Sequence, residues 1–102
     1  GMLRIDYAAG CAYMNGEELH LTPIEYKLLC LLAHNIGKVL THTYITQKIW
    51  GSSMESDIAS LRVFMATLRK KLEANPNSPQ YIQTHIGVGY RMMKVEEPLQ
   101  EL

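Results

Sequence analysis

The chain has 102 residues, 47% of them hydrophobic, with ten basic and ten acidic side chains and two cysteines. This length supports one modest core and leaves little room for an elaborate enzyme. No apolar run approaches the roughly 20 residues that cross a bilayer, and no secretory signal is evident, so we expect a soluble, cytoplasmic protein with no membrane partner. Cys11 and Cys30 lie far apart and the histidines are dispersed, so no metal, cofactor or disulfide is expected.

The zero net charge conceals an uneven distribution of charges along the chain. Residues 58–91 hold five Lys or Arg side chains against one acid, whereas residues 1–57 hold four against six. Three of the cations are consecutive, at Arg69, Lys70 and Lys71. A basic stretch concentrated on predicted elements is typical of a nucleic-acid surface.

The first predicted element is an antiparallel sheet within residues 3–21. The stretches "LRIDY", "CAYM" and "EELHL" are typical of strands, and Asn15-Gly16 between the last two predicts a tight hairpin, because both turn residues tolerate positive φ. Thr22, Pro23 and Glu25 then form the signature of a helix start, with Thr22 as cap and Glu25 completing a capping box. This first helix is predicted to end near residues 35–37.

Two further helices and a hairpin follow. A second helix is predicted from Thr41 to Trp50, ending at Gly51. Residues 51–57 have no apolar period and indicate a loop, with Ser53 or Ser56 available to cap a third helix over residues 56–74. Two short strands around Gly87 and Gly89 predict a terminal hairpin. We expect one domain over residues 3–93 and a frayed tail over residues 94–102.

The third helix divides into a buried stripe and an exposed face. Leu61, Met65, Leu68 and Leu72 share one side at helical spacing, with Phe64 at the edge of that stripe. The opposite side is small and mildly polar, and cations surround it. Its members are Ala59, Ser60, Val63, Ala66, Thr67 and Lys70, flanked by Arg62 and Arg69 on one side and by Lys71 on the other.

Three interpretations of this helix compete. A membrane-surface helix is disfavoured because the large apolar side chains are already committed to the stripe. A solvated core helix and a major-groove reader both suit the pattern, and the helix alone does not separate them. The order of elements favours the reader, because two helices followed by a basic helix and a hairpin form a helix-turn-helix with a wing. The predicted fold is therefore α+β, a winged helix-turn-helix with an N-terminal antiparallel sheet, three helices and a C-terminal hairpin wing.

Several segments together resemble the effector domain of OmpR/PhoB-type response regulators. The matching segments are "LTPIEYKLLCLLAHNIGKVLTHTYITQKIWG", "LRVFMATLRKKLE" and "IQTHIGVGYRM", and the segment "SLRVFMATLRKKLE" most resembles the KdpE subgroup of potassium-transport regulators. The resemblance implies sequence-specific binding of double-stranded DNA as the output domain of a two-component transcriptional regulator. Such an output domain follows a receiver domain, which is absent from these residues. A sensor kinase would then act only through that receiver.

The resemblance also implies roles for particular side chains. Val63 and Thr67 fall where base edges are contacted, and Arg62, Arg69 and Lys70 suit phosphates or flanking bases. Trp50, Thr84 and Tyr90 correspond to backbone-contacting positions beside the helix and in the wing, and Ser60, near the outward face, is counted among the DNA-binding residues. Tyr90 could instead simply pack on the sheet, and Trp50 could be part of the core.

Departures from the family pattern and further partners complete the expectations. Ile86 stands in the wing where some relatives have Arg, and Ala66 and Thr67 stand where some have Arg.

Relatives bind as tandem protomers, so paired half-sites about one helical turn apart are expected. The family uses the loop at residues 51–57 to contact RNA polymerase. The alternative is a winged helix that binds a protein partner instead of DNA; an enzyme is disfavoured because no catalytic arrangement of side chains is evident.

Overall fold

The computed structural model describes residues 3–75, 77 and 79–93, together with the backbone of residues 100–101. The described residues form two small sheets and three helices. In chain order, the elements are β1 (Leu3–Asp6), β2 (Cys11–Met14), β3 (Glu17–Glu18), α1 (Pro23–Ala33), β4 (Val39–Thr41), α2 (His42–Trp50), α3 (Glu55–Leu72), β5 (Ile82–His85), β6 (Gly89–Met92) and β7 (Gln100–Glu101). No helix within the described ranges is long and apolar enough to cross a membrane.

The N-terminal sheet confirms the predicted hairpin. Strands β1, β2 and β3 pair in antiparallel fashion, and Asn15 and Gly16 form the turn between β2 and β3 with φ angles of 53° and 85°. The sequence did not predict β7, which adds a parallel edge strand beside β1. The predicted frayed tail thus contains one short strand, while residues 94–99 and 102 of that tail lie outside the described residues.

The starts of α1 and α2 follow the predicted caps. The Thr22 hydroxyl accepts the Glu25 N–H at 3.2 Å, and the Glu25 carboxylate accepts the Thr22 N–H at 2.8 Å, which completes the capping box. Thr41 caps α2 by accepting the Tyr44 N–H at 3.1 Å. Gly51 ends α2 in the left-handed region, with a φ of 76°.

The start of α3 differs from the prediction. The helix begins at Glu55, so the loop is shorter than residues 51–57, and neither predicted serine caps it. Ser53 instead donates its hydroxyl to the Thr43 carbonyl, and Ser56 lies inside the helix. The Asp57 carboxylate serves the end of the helix by accepting the Met54 N–H at 2.9 Å and the Ser52 hydroxyl. A carboxylate is favoured here because the N-terminus of a helix carries partial positive charge.

The C-terminal sheet contains a strand that the sequence analysis missed. Strand β4 pairs with β6, and β6 pairs with β5, so the order is β4-β6-β5 and the hairpin is held to the start of α2. A Cβ on Gly89 would lie 1.8 Å from the Leu40 carbonyl oxygen. Glycine is therefore required at this position by the close approach of β4, and not by the hairpin turn.

The end of α3 is joined to the hairpin by a buried carboxylate. The helix ends at Leu72, two residues before the predicted end, and Glu73 follows it. The Glu73 side chain accepts backbone N–H groups from Gln80 at 2.8 Å and from Tyr81 and Ile82 at 3.0 Å each. These bonds satisfy the buried carboxylate and fix the two residues before β5, with its first residue, against the end of α3.

The core lies between the helices and both sheets. The predicted stripe of α3 is confirmed, since Leu61, Met65, Leu68 and Leu72 are all buried. They belong to one cluster with side chains of the sheets and of the other two helices, namely Leu3, Ile5, Leu28, Leu29, Leu32, Leu40, Ile45, Ile82 and Met92. Burial of this stripe leaves the opposite face of α3 exposed.

Candidate nucleic-acid interface

The side of α3 opposite the core is an open surface of small side chains and cations. Val63 is 63% exposed although it is apolar. The other exposed side chains on this side are Ala59, Arg62, Ala66 and Lys70, and we call these five residues the reading face. The only acid in residues 58–91 is Glu73, which is buried, so no α3 carboxylate beyond Asp57 opposes the cations.

One flank of α3 contacts the hairpin wing formed by β5 and β6. The Arg69 guanidinium lies 5.5 Å from the centroid of the Tyr90 ring and donates a hydrogen bond to the Thr84 hydroxyl. Burial lowers the pKa of Arg69, although Tyr90 and Glu73 act in the opposite direction. The side chain still carries its charge at neutral pH, because guanidinium groups do not deprotonate in proteins. Arg69 is therefore a half-buried cation at the junction of helix and wing.

Tyr90 is more deeply buried than the predicted phosphate contact suggested. It is 5% exposed, and its ring meets the His42 ring edge-on with centroids 5.5 Å apart. Burial raises the pKa of the Tyr90 hydroxyl, although the charges of Arg69 and Arg62 lower it. Tyr90 thus packs on the sheet, which the sequence analysis kept as the alternative, and its contact with DNA stays a prediction.

The other flank of α3 contacts α1. Two residues that were predicted to contact DNA, Thr67 and Ser60, lie on this flank. Thr67 was expected on the outward face, but it is half-buried and its hydroxyl donates to the Phe64 carbonyl at 2.9 Å. It also lies beside the Glu25 carboxyl and lowers the pKa of that group. Ser60 is half-buried as well. The structure corrects the placement of Thr67 because the helical rotation turns it from the reading face toward α1.

Trp50 lies at the end of α2, beside α3. Its ring centroid is 6.0 Å from that of Phe64, and its side chain is half-buried. This placement agrees with the expectation that Trp50 is part core and part surface, and its contact with DNA stays a prediction.

The start of α2 also borders the wing, which the sequence analysis did not identify. The His42 N–H donates to the Val88 carbonyl at 3.1 Å, next to the wing turn. Burial lowers the pKa of His42, and the charge of Arg62 on α3 acts in the same direction. His42 therefore lies between the wing and a reading-face cation. This position of His42 depends on the pairing of β4 with β6, which the sequence did not predict, so no local pattern indicated it.

The wing turn presents apolar side chains to solvent. Ile86 is 94% exposed, Val88 is also exposed, and Gly87 adopts a φ of 76° between them. Exposed apolar side chains at the end of a hairpin can contact sugar rings or be inserted between base steps. Among the described residues, no group of three or more His, Cys, Asp or Glu side chains could hold a metal ion.

Comparison with known proteins identifies the family. Residues 16–92 match the family described as "Transcriptional regulatory protein, C terminal". The chain is 43% identical over 89 residues to the KDP operon transcriptional regulatory protein KdpE of Escherichia coli strain K12. That alignment covers 87% of this chain and 40% of the relative, so the chain spans less than half the length of that protein.

Two solved structures share the fold. The response regulator DrrB of Thermotoga maritima, described as an OmpR/PhoB homologue, is 32% identical with a TM-score of 0.84, covering 92% of this chain and 42% of that one. The DNA-binding domain of Klebsiella pneumoniae RstA, solved in complex with the RstA box, is 27% identical with a TM-score of 0.83, covering 91% and 92%. The predicted winged-helix fold and resemblance are confirmed, and the chain belongs to the family of C-terminal domains of OmpR/PhoB-type transcriptional regulatory proteins.

Proposed function

We propose that this chain binds double-stranded DNA in a sequence-specific manner, with the reading face of α3 in the major groove. The observation that carries the proposal is the reading face itself, where the exposed side chain of Val63 lies between the exposed cations Arg62 and Lys70. A major groove admits one α-helix, and small side chains allow its close approach to base edges. The RstA domain, whose solved structure is a complex with DNA, has the same fold and supports this proposal.

The side chains divide into those that specify and those that position. Val63 is suited to contact a thymine methyl group. The base contact assigned to Thr67 would have to be made from the flank of the reading face by its methyl group or by a lone pair of its oxygen, because the hydroxyl proton is held by the Phe64 carbonyl. Arg62, Arg69 and Lys70 are suited to phosphate oxygens, which supply most of the affinity without sequence information. The supporting contacts with the DNA backbone are assigned to Ser60, Trp50, Thr84 and Tyr90.

The wing completes the proposed interface at the DNA backbone or the minor groove. Thr84 is exposed on β5 beside Arg69, where its hydroxyl can bond a phosphate. Ile86 offers no charge to the narrow minor groove, so contact there would be apolar. The wing therefore adds affinity more than sequence readout.

We further propose that this DNA binding regulates transcription in the cytoplasm as the output of a two-component system. The 43% identity to KdpE supports the regulatory role, and that relative is more than twice as long as the matched segment. A receiver domain, and a sensor kinase acting on it, belong to this proposal and not to the residues of this chain. Binding as tandem protomers would place two half-sites about one helical turn apart.

Contact with RNA polymerase is a separate proposal for the segment at residues 51–57. Asp57, Ser52 and Ser53 are engaged in hydrogen bonds within this segment or with α2. Met54, Glu55 and Ser56 are exposed and are the side chains available to a protein partner. The proposed contact with polymerase therefore rests on these three residues.

A binding titration with labelled duplex DNA tests the main proposal. We expect random duplexes to bind at low salt, with affinity falling steeply as salt is raised, because released counterions drive association with phosphates. Selection from a randomised library should then enrich paired half-sites. Absence of binding at low ionic strength and high protein concentration would remove the DNA proposal and favour a protein partner for the same surface.

A further inference from the structure

The three consecutive cations at the end of α3 lie in three different environments. Successive residues of a helix point about 100° apart, so neighbours in sequence face different surroundings. Arg69 contacts the wing, and Lys70 is exposed on the reading face. Lys71 reaches in the opposite direction, where its ammonium donates to the Glu25 carboxylate at 2.6 Å and to the His20 carbonyl at 2.7 Å. The basic run is therefore not a uniform phosphate-binding surface.

Glu25 is built to hold this cation. The residue is 1% exposed, and the oxygen that meets Lys71 also accepts the Thr22 N–H of the capping box. Burial by itself raises the pKa of Glu25. Hydrogen bonds from Lys71 and the Thr22 backbone, with the nearby Thr67 hydroxyl and the charge of Lys71, outweigh burial and lower the pKa to about 2. A buried carboxylate with this many donors is ionised and needs its cation.

The contacts of Lys71 join parts of the chain that are distant in sequence. Glu25 lies 46 residues before Lys71, in the first turn of α1, and His20 lies 51 residues before it, in the connection from the N-terminal sheet. One ammonium thus ties the last turn of α3 to both elements. The Lys71 side chain is 36% exposed, but two of the three donors of its ammonium are used inside the protein and its charge is paired with Glu25, so one donor remains for solvent or a phosphate.

We propose that Lys71 is a positioning residue, which holds α3 against α1 through Glu25 and so sets how the reading face meets the groove. This inference rests on the proposed DNA binding and deepens it. Contacts to base edges require the reading side chains to be held within about 0.5 Å of their productive geometry. Phosphate contacts tolerate more displacement, because the attraction between charges falls slowly with distance. Loss of the Lys71 contact should therefore reduce specificity while the number of phosphates neutralised stays constant.

Lys70 supplies the matched control, because it is the adjacent cation on the same helix and is exposed. The experiment compares Lys71→Met with Lys70→Met, two substitutions that remove the charge and retain most of the length of the side chain. Affinity is measured over a range of salt concentrations, for a selected duplex and for a random duplex. Lys70→Met should weaken both duplexes alike and reduce the salt slope by about one.

Lys71→Met should leave the salt slope unchanged and lower the ratio of selected to random affinity by about tenfold, comparable with one mismatched base pair. Lys71→Arg, which keeps the charge and two or more donors, should retain most of that ratio. A slope that falls by about one with an unchanged ratio would make Lys71 a phosphate contact and overturn the proposal. An unchanged slope with an unchanged ratio would also overturn it.

Two further measurements keep the outcome decisive. Lys71→Met leaves the Glu25 carboxylate unpaired and could prevent folding. In that case the double variant Glu25→Gln with Lys71→Met is used, because it removes both charges while the new amide oxygen still accepts the Thr22 N–H. Its salt slope and its ratio of selected to random affinity are then compared with those of Lys70→Met. If the unmodified chain binds neither duplex, the proposed DNA function itself fails and the positioning role fails with it. Loss of specificity confined to the Lys71 variants is the result that supports the proposal.

Discussion

The two flanks of α3 are held by different kinds of contact. The wing flank consists of Arg69 with Thr84 and Tyr90, where a half-buried guanidinium meets a neutral hydroxyl and an aromatic ring. The α1 flank consists of Lys71 and Thr67 with Glu25, where an ammonium meets a buried carboxylate at 2.6 Å. Removing the cation from a buried carboxylate such as Glu25 is costly, whereas a cation on a ring contributes about 0.5 to 2 kcal/mol. We infer that the α1 flank fixes the helix and that the wing flank is the adjustable side.

The core beneath both flanks gives the largest expected effect. Leu68 is fully buried between them, so Leu68→Ala should lower the free energy of unfolding by ~2 to 5 kcal/mol and reduce the melting temperature. Val63→Ala, on the exposed side of the same helix, is the control and should change stability by less than about 0.5 kcal/mol. Equal losses of stability in thermal unfolding would contradict the division into stripe and reading face.

The α1 flank should show its charge in the pH dependence of stability. The folded-state pKa of Glu25 is about 2, against an ordinary value of 4.5. A carboxyl with a lowered pKa stabilises the fold fully above the unfolded pKa, and this contribution is lost as pH falls from about 4.5 toward 2. Glu25→Gln should therefore cost on the order of 2 to 3 kcal/mol at pH 7. The cost should shrink toward zero as the solution is acidified.

Denaturant unfolding at several pH values measures this difference between the unmodified chain and Glu25→Gln. Glu17→Gln changes an exposed glutamate on β3 and serves as the control, with an expected effect below about 0.5 kcal/mol throughout. If the loss of stability caused by Glu25→Gln stays constant down to pH 3, the negative charge of Glu25 does not contribute to the stability of the fold.

The wing flank should affect DNA binding more than stability. One donor of Arg69 is used by Thr84 and its Nε is buried, so a phosphate can be reached only through the other terminal donors of the guanidinium. Arg69→Ala should therefore weaken binding to all duplexes by about 1.5 kcal/mol. The salt slope should fall by about one, which a titration over several salt concentrations measures. Weaker binding with an unchanged slope would instead mean that Arg69 only holds the wing, which would make the two flanks alike.

The smallest effect on DNA affinity is expected at the far end of α3, away from both flanks. Glu55 is exposed in the first turn, so Glu55→Ala should leave DNA affinity within about 0.5 kcal/mol or raise it slightly by removing a negative charge. If the proposed contact with RNA polymerase exists, transcription at equal promoter occupancy should fall. Unchanged transcription in a reconstituted assay would leave this segment as a connector between α2 and α3.

The sequence by itself determined the features that depend on neighbouring residues. The Asn15-Gly16 turn, the Thr22 and Glu25 capping box and the buried stripe of α3 all follow from local backbone geometry and helical periodicity. These features, in their order along the chain, were enough to predict the winged helix and the side of α3 that faces solvent. The start of α3 was misplaced because two serines competed as caps with the Asp57 carboxylate.

Only the tertiary structure decided which partner each polar side chain meets. Strand β4 is three residues long and forms because β6 supplies its hydrogen bonds, so its own sequence carries little signal. Nothing in the local sequence distinguishes Glu73 from the other glutamates, and its role depends on the backbone N–H groups at the start of β5 that it accepts. Helical periodicity places Lys70 on the exposed side of α3 and Lys71 on its flank, but only the packing of α1 beside α3 gives Lys71 a carboxylate 46 residues away as its partner. Periodicity fixes the side of a helix, whereas packing between distant elements fixes what that side contacts.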